Sequence, residues 1–176
     1  MHIAGVELIK LSSNQDERGA LTEVFRSEWL PAGGFEQWNA VQSAANVVRG
    51  VHVHRQHDDY TLCLHGHAEV WLRDLRSGSE SFGAVGHFEL SGPDSGAIFI
   101  PQGVAHGVAS LSPTWFLIGE SRYWSVNDEL RCRWDDPDLG FEWCLDAPRL
   151  STQDRDAASF AELLTTYRSG PVGDVR

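Results

Sequence analysis

Between about Val47 and Trp124 the apolar residues come in short runs, each closed by a turn signal. Tyr60–Leu64 ends at His65-Gly66, and Ala68–Leu72 is followed by Asp74 to Gly78. Gly86–Leu90 ends at Ser91-Gly92-Pro93, and Gly96–Ile100 ends at Pro101-Gln102-Gly103. Short strands at regular spacing predict a mainly β fold, an antiparallel barrel or sandwich. Alternation is only partial. Ala68, Val70 and Leu72 share one side with apolar character throughout, but Trp71 lies between Glu69 and Arg73 on the other. Sheets partly buried on both faces are therefore expected. Near the end, Phe160, Leu163, Leu164 and Tyr167 recur at helical spacing and predict a short C-terminal helix within Asp156–Arg168. No repeat, linker or low-complexity tract interrupts the pattern, so residues 1–176 are expected to form one domain. A closed barrel of this size has a mouth that can hold one small ligand.

Composition narrows the function classes. The 176 residues are 41% hydrophobic and 22% charged, ordinary values for a globular protein. The net charge of −11 argues against nucleic-acid or membrane-surface partners, which are themselves anionic. It leaves room for a small anionic ligand, because arginines in a pocket outweigh surface charge that salt screens beyond roughly 10 Å. The apolar stretches are too short to span a bilayer, and no basic segment followed by an apolar one marks a secretory signal. Cys63, Cys132 and Cys144 are odd in number and unrelated in spacing. That usage predicts a reduced, cytoplasmic protein without a disulfide framework. Lys10 is the one lysine, which leaves lysine-dependent chemistry a single candidate.

Histidine carries the chemical signal. Of eight, His52, His54, His57, His65 and His67 lie close together, and His106 sits in Pro101-Gln-Gly-Val-Ala-His-Gly. On a strand, His52 and His54 point to the same face. His65 and His67 flank a turn glycine and are expected in solvent.

A series of motifs then occurs in order: Asp16-Glu17-Arg18-Gly19, Glu23-Val24-Phe25, Gln37-Trp38-Asn39, Arg49-Gly50-Val51-His52 and Asp74-Leu75-Arg76-Ser77-Gly78-Ser79. Phe82-Gly83, Ile100–Gly107, Trp134-Asp135-Asp136-Pro137 and Leu150-Ser151-Thr152-Gln153-Asp154 follow. Together they resemble the dTDP-4-dehydrorhamnose 3,5-epimerase family from about residue 5 to 158. The resemblance implies a cupin-like jelly-roll barrel, a homodimer, and inversion of carbons beside a 4-keto group on a deoxythymidine-diphosphate sugar. It implies no metal and no organic cofactor. By position, His52 is implied as the general base and Asp154 as the carboxylate that orients it. Arg18, Glu23, Gln37, Asn39, Arg49 and His106 are implied ligand contacts, and Trp124 beside Tyr123 an aromatic face for the nucleotide base. The residue types suit these roles. A proton beside a ketone is acidic because the enolate places charge on oxygen, and imidazole is the base best matched to neutral pH. Arginine forks match diphosphate oxygens, and an indole offers a stacking face.

Two positions depart from the family pattern. Its enolate-stabilising lysine is replaced by Asp59, with Tyr60 beside it, and its opposite-face tyrosine by Ile118. Tyr60, His54 or a water is expected to supply the missing acid, and Tyr60 is counted among the substrate-binding candidates. Inversion at one carbon fits better than inversion at two. Asp59 itself has two readings: a solvated carboxylate beside Asp58 and His57, or a metal ligand. The second gives an alternative function, a metal-dependent cupin enzyme built on His52, His54, Asp59 and His106. Loss of both lysine and tyrosine also fits a ligand-binding relative without catalysis.

Overall fold

A computed structural model describes residues 2–30 and 34–170. In chain order the strands are β1 (Glu7–Ile9), β2 (Ser13–Asp16), β3 (Gly19–Thr22), β4 (Gln37–Ser43), β5 (Val47–His54) and β6 (Asp59–His65). They continue with β7 (His67–Asp74), β8 (Val85–Ser91), β9 (Ala97–Ile100), β10 (Val104–Ser110), β11 (Thr114–Glu120) and β12 (Glu129–Arg131). Two helices follow, α1 (Thr152–Arg155) and α2 (Phe160–Arg168). Two five-stranded sheets form, ordered β1-β9-β6-β11-β4 and β12-β5-β10-β7-β8, while β2 and β3 make a separate hairpin. Every strand pairing is antiparallel. From β4 onward the chain crosses between the sheets at nearly every turn, so chain neighbours such as β5 and β6 face each other across the interior.

The partial alternation has a physical cause: each sheet is covered on both faces. Between the sheets lies a core of Cys63, Ala68, Val70, Leu72, Leu90, Ile98, Ile100 and Phe116. Behind the second sheet, Val51, Val53 and Ala105 pack against Leu139, Phe160 and Leu163, so α2 and its approach cover that face. Behind the first sheet, Tyr60, Leu62 and Phe99 pack with Leu30, Phe25, Phe35 and Trp38. Apolar residues of odd and even parity are therefore both buried, and the polar residues left facing inward mark a site.

The predicted strands are all present, within a few residues of their expected ends. The predicted helix starts later than Asp156. Ser159 caps α2 in a reciprocal box with Glu162, and Phe160 is its first helical residue. The residues before it form a separate turn of helix, α1, capped by Ser151. Gly50 is required where β5 meets β10. It has φ +117°, and a Cβ there would approach Gly107 Cα to 2.8 Å. The register between the strands shifts at His106/Gly107, and that bulge lets Arg49 join His52 and His54 on the cavity wall. Among the described residues no helix is long and apolar enough to cross a membrane.

Candidate active site

A cavity of about 550 Å³ opens between the sheets. Period-two geometry supplies its walls. Gln37, Asn39 and Val41 come from β4, Asp59 and Thr61 from β6, and Phe116, Ile118 and Glu120 from β11. Opposite them stand His52 and His54 of β5, His106 and Val108 of β10, and Glu129 and Arg131 of β12. Trp124, Ser151, Gln153 and Asp154 complete the lining.

At one end His52 Nε2 lies 2.8 Å from Asp154 Oδ1. The carboxylate is aimed by the cap of α1: Ser151 Oγ accepts from the Asp154 backbone N–H and donates to Asp154 Oδ2 at 2.8 Å. Burial pushes the Asp154 carboxyl up, but the His52 hydrogen bond and charge, Ser151 and Arg131 outweigh it and hold it below the usual range. On the other side of the ring, His52 Nδ1 lies 3.4 Å from Glu129 Oε1. Glu129 is half-buried, which pushes it up, yet His52, Trp124 and Arg131 hold it low. Arg131 spans both carboxylates, at 2.5 Å from Glu129 Oε1 and 3.7 Å from Asp154 Oδ1. The antiparallel pairing Arg131↔His52 makes this arrangement a consequence of register. With Asp154 ionised, its partner Nε2 carries a proton, which leaves Nδ1 as the nitrogen that can exchange one with a substrate.

At the inner end the same residue types meet in a different setting. Asp59 is 4% exposed, with Oδ2 3.2 Å from His106 Nε2 and 3.5 Å from His54 Nε2. Burial pushes its carboxyl up to about 8; His57 opposes this, and Glu120, Asp58 and Glu129 add to it. Burial brings His106 down to about 4, helped by His52, and takes His54 well below its ordinary value. Glu120, paired in register with Asp59, is raised by burial. Its Oε1 accepts from Asn39 Nδ2 at 2.9 Å, whereas Oε2 is buried without a partner. A hydrogen-bonded row runs from here to the mouth. Gln37 Nε2 donates to Asn39 Oδ1 at 3.3 Å, and the Trp124 backbone N–H donates to Gln37 Oε1 at 3.0 Å. Arg49 reaches the cavity with its guanidinium held by Ser43 Oγ at 2.8 Å and the Gln42 carbonyl at 3.1 Å.

Thus His52, Asp154, Gln37, Asn39, Arg49, His106 and Trp124 come together as the sequence suggests. Three expected contacts do not. Tyr60 has the opposite parity from Asp59 and Thr61, so it points out of the cavity. It is fully buried against Phe25, Phe35 and Trp38, its hydroxyl donating to the Val24 carbonyl at 2.7 Å. It can neither bind a ligand in this cavity nor serve as the missing acid. Arg18 sits on the β2-β3 hairpin, 85% exposed at its side chain and paired with Asp16. Glu23 follows the hairpin and pairs with Arg26. Neither lines this chain's cavity. Asp59 is not a solvated carboxylate: β6 begins at this residue and turns it inward.

The four-ligand metal set is not assembled, because His52 is turned to Asp154 and Glu129. Among the described residues His54, His57 and Asp59 bring donor atoms within 4.8 Å of one another. The rings of His54 and His57 are stacked, however, with centroids 4.0 Å apart and planes 26° apart. Imidazole binds a metal along an in-plane lone pair, and nearly parallel stacked rings do not aim two such pairs at one ion. His57 is instead held by Asp128 Oδ2 at 2.8 Å. Residues the sequence reading missed are Glu120, Glu129, Arg131 and Gln153. Glu129 and Arg131, two apart around Leu130, carried an alternation signal that three residues are too few to make visible.

The family model for dTDP-4-dehydrorhamnose 3,5-epimerase matches residues 1–162. The dTDP-4-dehydrorhamnose 3,5-epimerase of Pseudomonas aeruginosa is 36% identical over 156 residues, 84% of this chain and 86% of that protein. The rmlC epimerase of Mycobacterium tuberculosis superposes with a TM-score of 0.87 at 26% identity, covering 95% of this chain and 90% of that one. ChmJ, a 3'-monoepimerase from Streptomyces bikiniensis in complex with dTDP-quinovose, gives 0.85 at 26% identity, covering 97% and 89%. These likenesses favour sugar-nucleotide isomerase chemistry over a metal-dependent cupin enzyme. The fold is the cupin-like jelly roll of these neighbours, and the chain belongs to the dTDP-4-dehydrorhamnose 3,5-epimerase family.

Proposed function

We propose that this protein is an isomerase that inverts a carbon beside the 4-keto group of a deoxythymidine-diphosphate-linked 4-keto-6-deoxyhexose. The observation that carries the reading is His52 bound to Asp154 at 2.8 Å inside an open cavity. His52 Nδ1 takes the proton from the carbon, the C–H pair becomes a C=C bond, and the carbonyl π pair moves onto the oxygen. Asp154 and Glu129 stabilise the imidazolium that forms. Return of a proton to the other face of the carbon completes the inversion. The ketone supplies the acidity, so no metal or organic cofactor is required. Arg49 suits the diphosphate, Gln37 and Asn39 the sugar hydroxyls, and Trp124 the base. Because Ile118 on the cavity wall cannot donate a proton, we expect inversion at one carbon rather than two. The reading includes a homodimer working in the cytoplasm, in line with the family and the unpaired cysteines.

The test is incubation with the dTDP-4-keto-6-deoxyhexose in deuterated water, followed by NMR of the sugar. Deuterium entering at C3 or C5 is the expected result. A substrate that stays unlabelled at both carbons overturns the reading.

A further inference from the structure

An enolate forms readily only where something meets the charge that develops on its oxygen. The cavity is poor in groups for that task. Its lining contains no lysine, Arg131 is taken up by Glu129 and Asp154, and Arg49 is fixed by Ser43 and Gln42. Among the described residues the lining of the inner end holds no cation free to meet it: His57 stands outside the lining, with Nε2 3.7 Å from Asp59 Oδ1 and Nδ1 held by Asp128. The lining there has Asp59.

His106 fixes the protonation there. Its Nδ1 lies 3.1 Å from the Val104 carbonyl, which can only accept, so Nδ1 carries a hydrogen. In the neutral ring Nε2 is then a lone pair, and it faces Asp59 Oδ2 at 3.2 Å. A second lone pair, on an ionised carboxylate, would repel it. The contact is favourable only with a proton on one of the two atoms. His52 and His106 are direct cross-strand partners on β5 and β10, while Asp59 reaches in from β6 of the facing sheet. The base and the proton-bearing pair are thus side by side at the spacing of neighbouring strands, roughly 5 Å. His52, His106 and Asp59 all line the one cavity.

We infer that Asp59 and His106 together hold one proton at the inner end of the cavity, and that the neutral Asp59 carboxyl donates it to the sugar's 4-keto oxygen. Asp59 is then a catalytic residue acting as a neutral acid where this family's pattern has a cation. The inference rests on the epimerase reading above. As His52 removes the carbon proton, the Asp59 O–H proton passes to the oxygen and leaves an enol and a carboxylate. On the return, the enol O–H proton goes back to Asp59 as C=O re-forms. The carbon takes a proton from water on its other face, and the hydroxide left behind takes the proton from His52. The groups facing Asp59 are consistent with a neutral carboxyl. They are His54 from β5, His106 from β10, Glu120 from β11, Glu129 from β12 and the neighbouring Asp58. His57 is the one group that draws it down, and its own charge is engaged by Asp128.

The experiment compares Asp59→Asn and Asp59→Ala in deuterium exchange across pH. Asn is isosteric and can hydrogen-bond the oxygen but has no proton to transfer, so exchange should fall by about tenfold, whereas Ala, which removes the hydrogen bond as well, should lose about 10²–10³-fold. Wild-type exchange should fall as pH rises past about 8, and that limb should vanish in Asp59→Asn. In parallel, the infrared difference between wild type and Asp59→Asn at pH 7 should contain the C=O stretch of a protonated carboxyl. Asp59→Asn exchanging at the wild-type rate, or a carboxylate band in place of the carboxyl one, overturns the inference while an active wild type leaves the epimerase reading standing. A wild type that exchanges nothing overturns both.

Discussion

The two ends of the cavity hold the same chemistry, a histidine against an aspartate, in opposite states. At the outer end Asp154 is ionised, because Ser151, Arg131 and His52 all favour its charge. At the inner end Asp59 has no cation turned to it from the cavity, carboxylates for neighbours and little solvent, and its carboxyl is pushed up to about 8. Proton transfer at carbon needs both, a base and an acid within one substrate's reach. The difference teaches that surroundings, not residue type, assign the roles.

The comparison is broken most severely at its outer end. His52→Ala should lower deuterium exchange by about 10²–10⁴-fold, the usual worth of a positioned base, measured as the initial rate of label entry. Asp154→Asn should cost somewhat less, about 10²-fold, by releasing the tautomer and removing the charge that stabilises the imidazolium. Circular dichroism of this variant should be unchanged.

The inner end is sharpened by stability rather than by rate. Asp59 titrates at about 8 in the folded protein against an ordinary 3.8 in the unfolded chain. Between these values the folded state binds the extra proton, so stability falls as pH rises. The contribution is full below the unfolded value and gone above the folded one. Asp59→Asn escapes this penalty. Its melting temperature should therefore gain on wild type from pH 5 to about pH 8 and level off above it, and parallel curves would show an Asp59 that is ionised throughout.

The smallest expected effect lies on the outer face of the same strand. Tyr60→Phe loses one hydrogen bond to the Val24 carbonyl and about 1 kcal/mol of stability, with exchange kinetics unchanged. A fall in exchange rate would return Tyr60 to the site.

Much of this was legible in the sequence. The strands declared themselves through turn signals such as His65-Gly66 and Pro101-Gln102-Gly103, because glycine and proline end strands for backbone reasons that tertiary context does not override. His52, Arg49 and Asp154 were legible through their motifs. Tyr60 and Asp59 were misjudged together. Their parity is set by where β6 enters the sheet, and the polar run His57-Asp58-Asp59 reads as solvated until the facing strands close over it. Glu129 and Arg131 were invisible because β12 is three residues long, and what places them beside His52 is their pairing with β5. The start of α2 could have been read from Ser159 and Glu162, whose spacing is that of a capping box.

Chemical rescue tests the central claim most directly. His52→Ala should exchange deuterium into the sugar at a small fraction of the wild-type rate, and added imidazole should restore part of it in proportion to its concentration. Exchange at the wild-type rate without imidazole would mean that another group removes the proton.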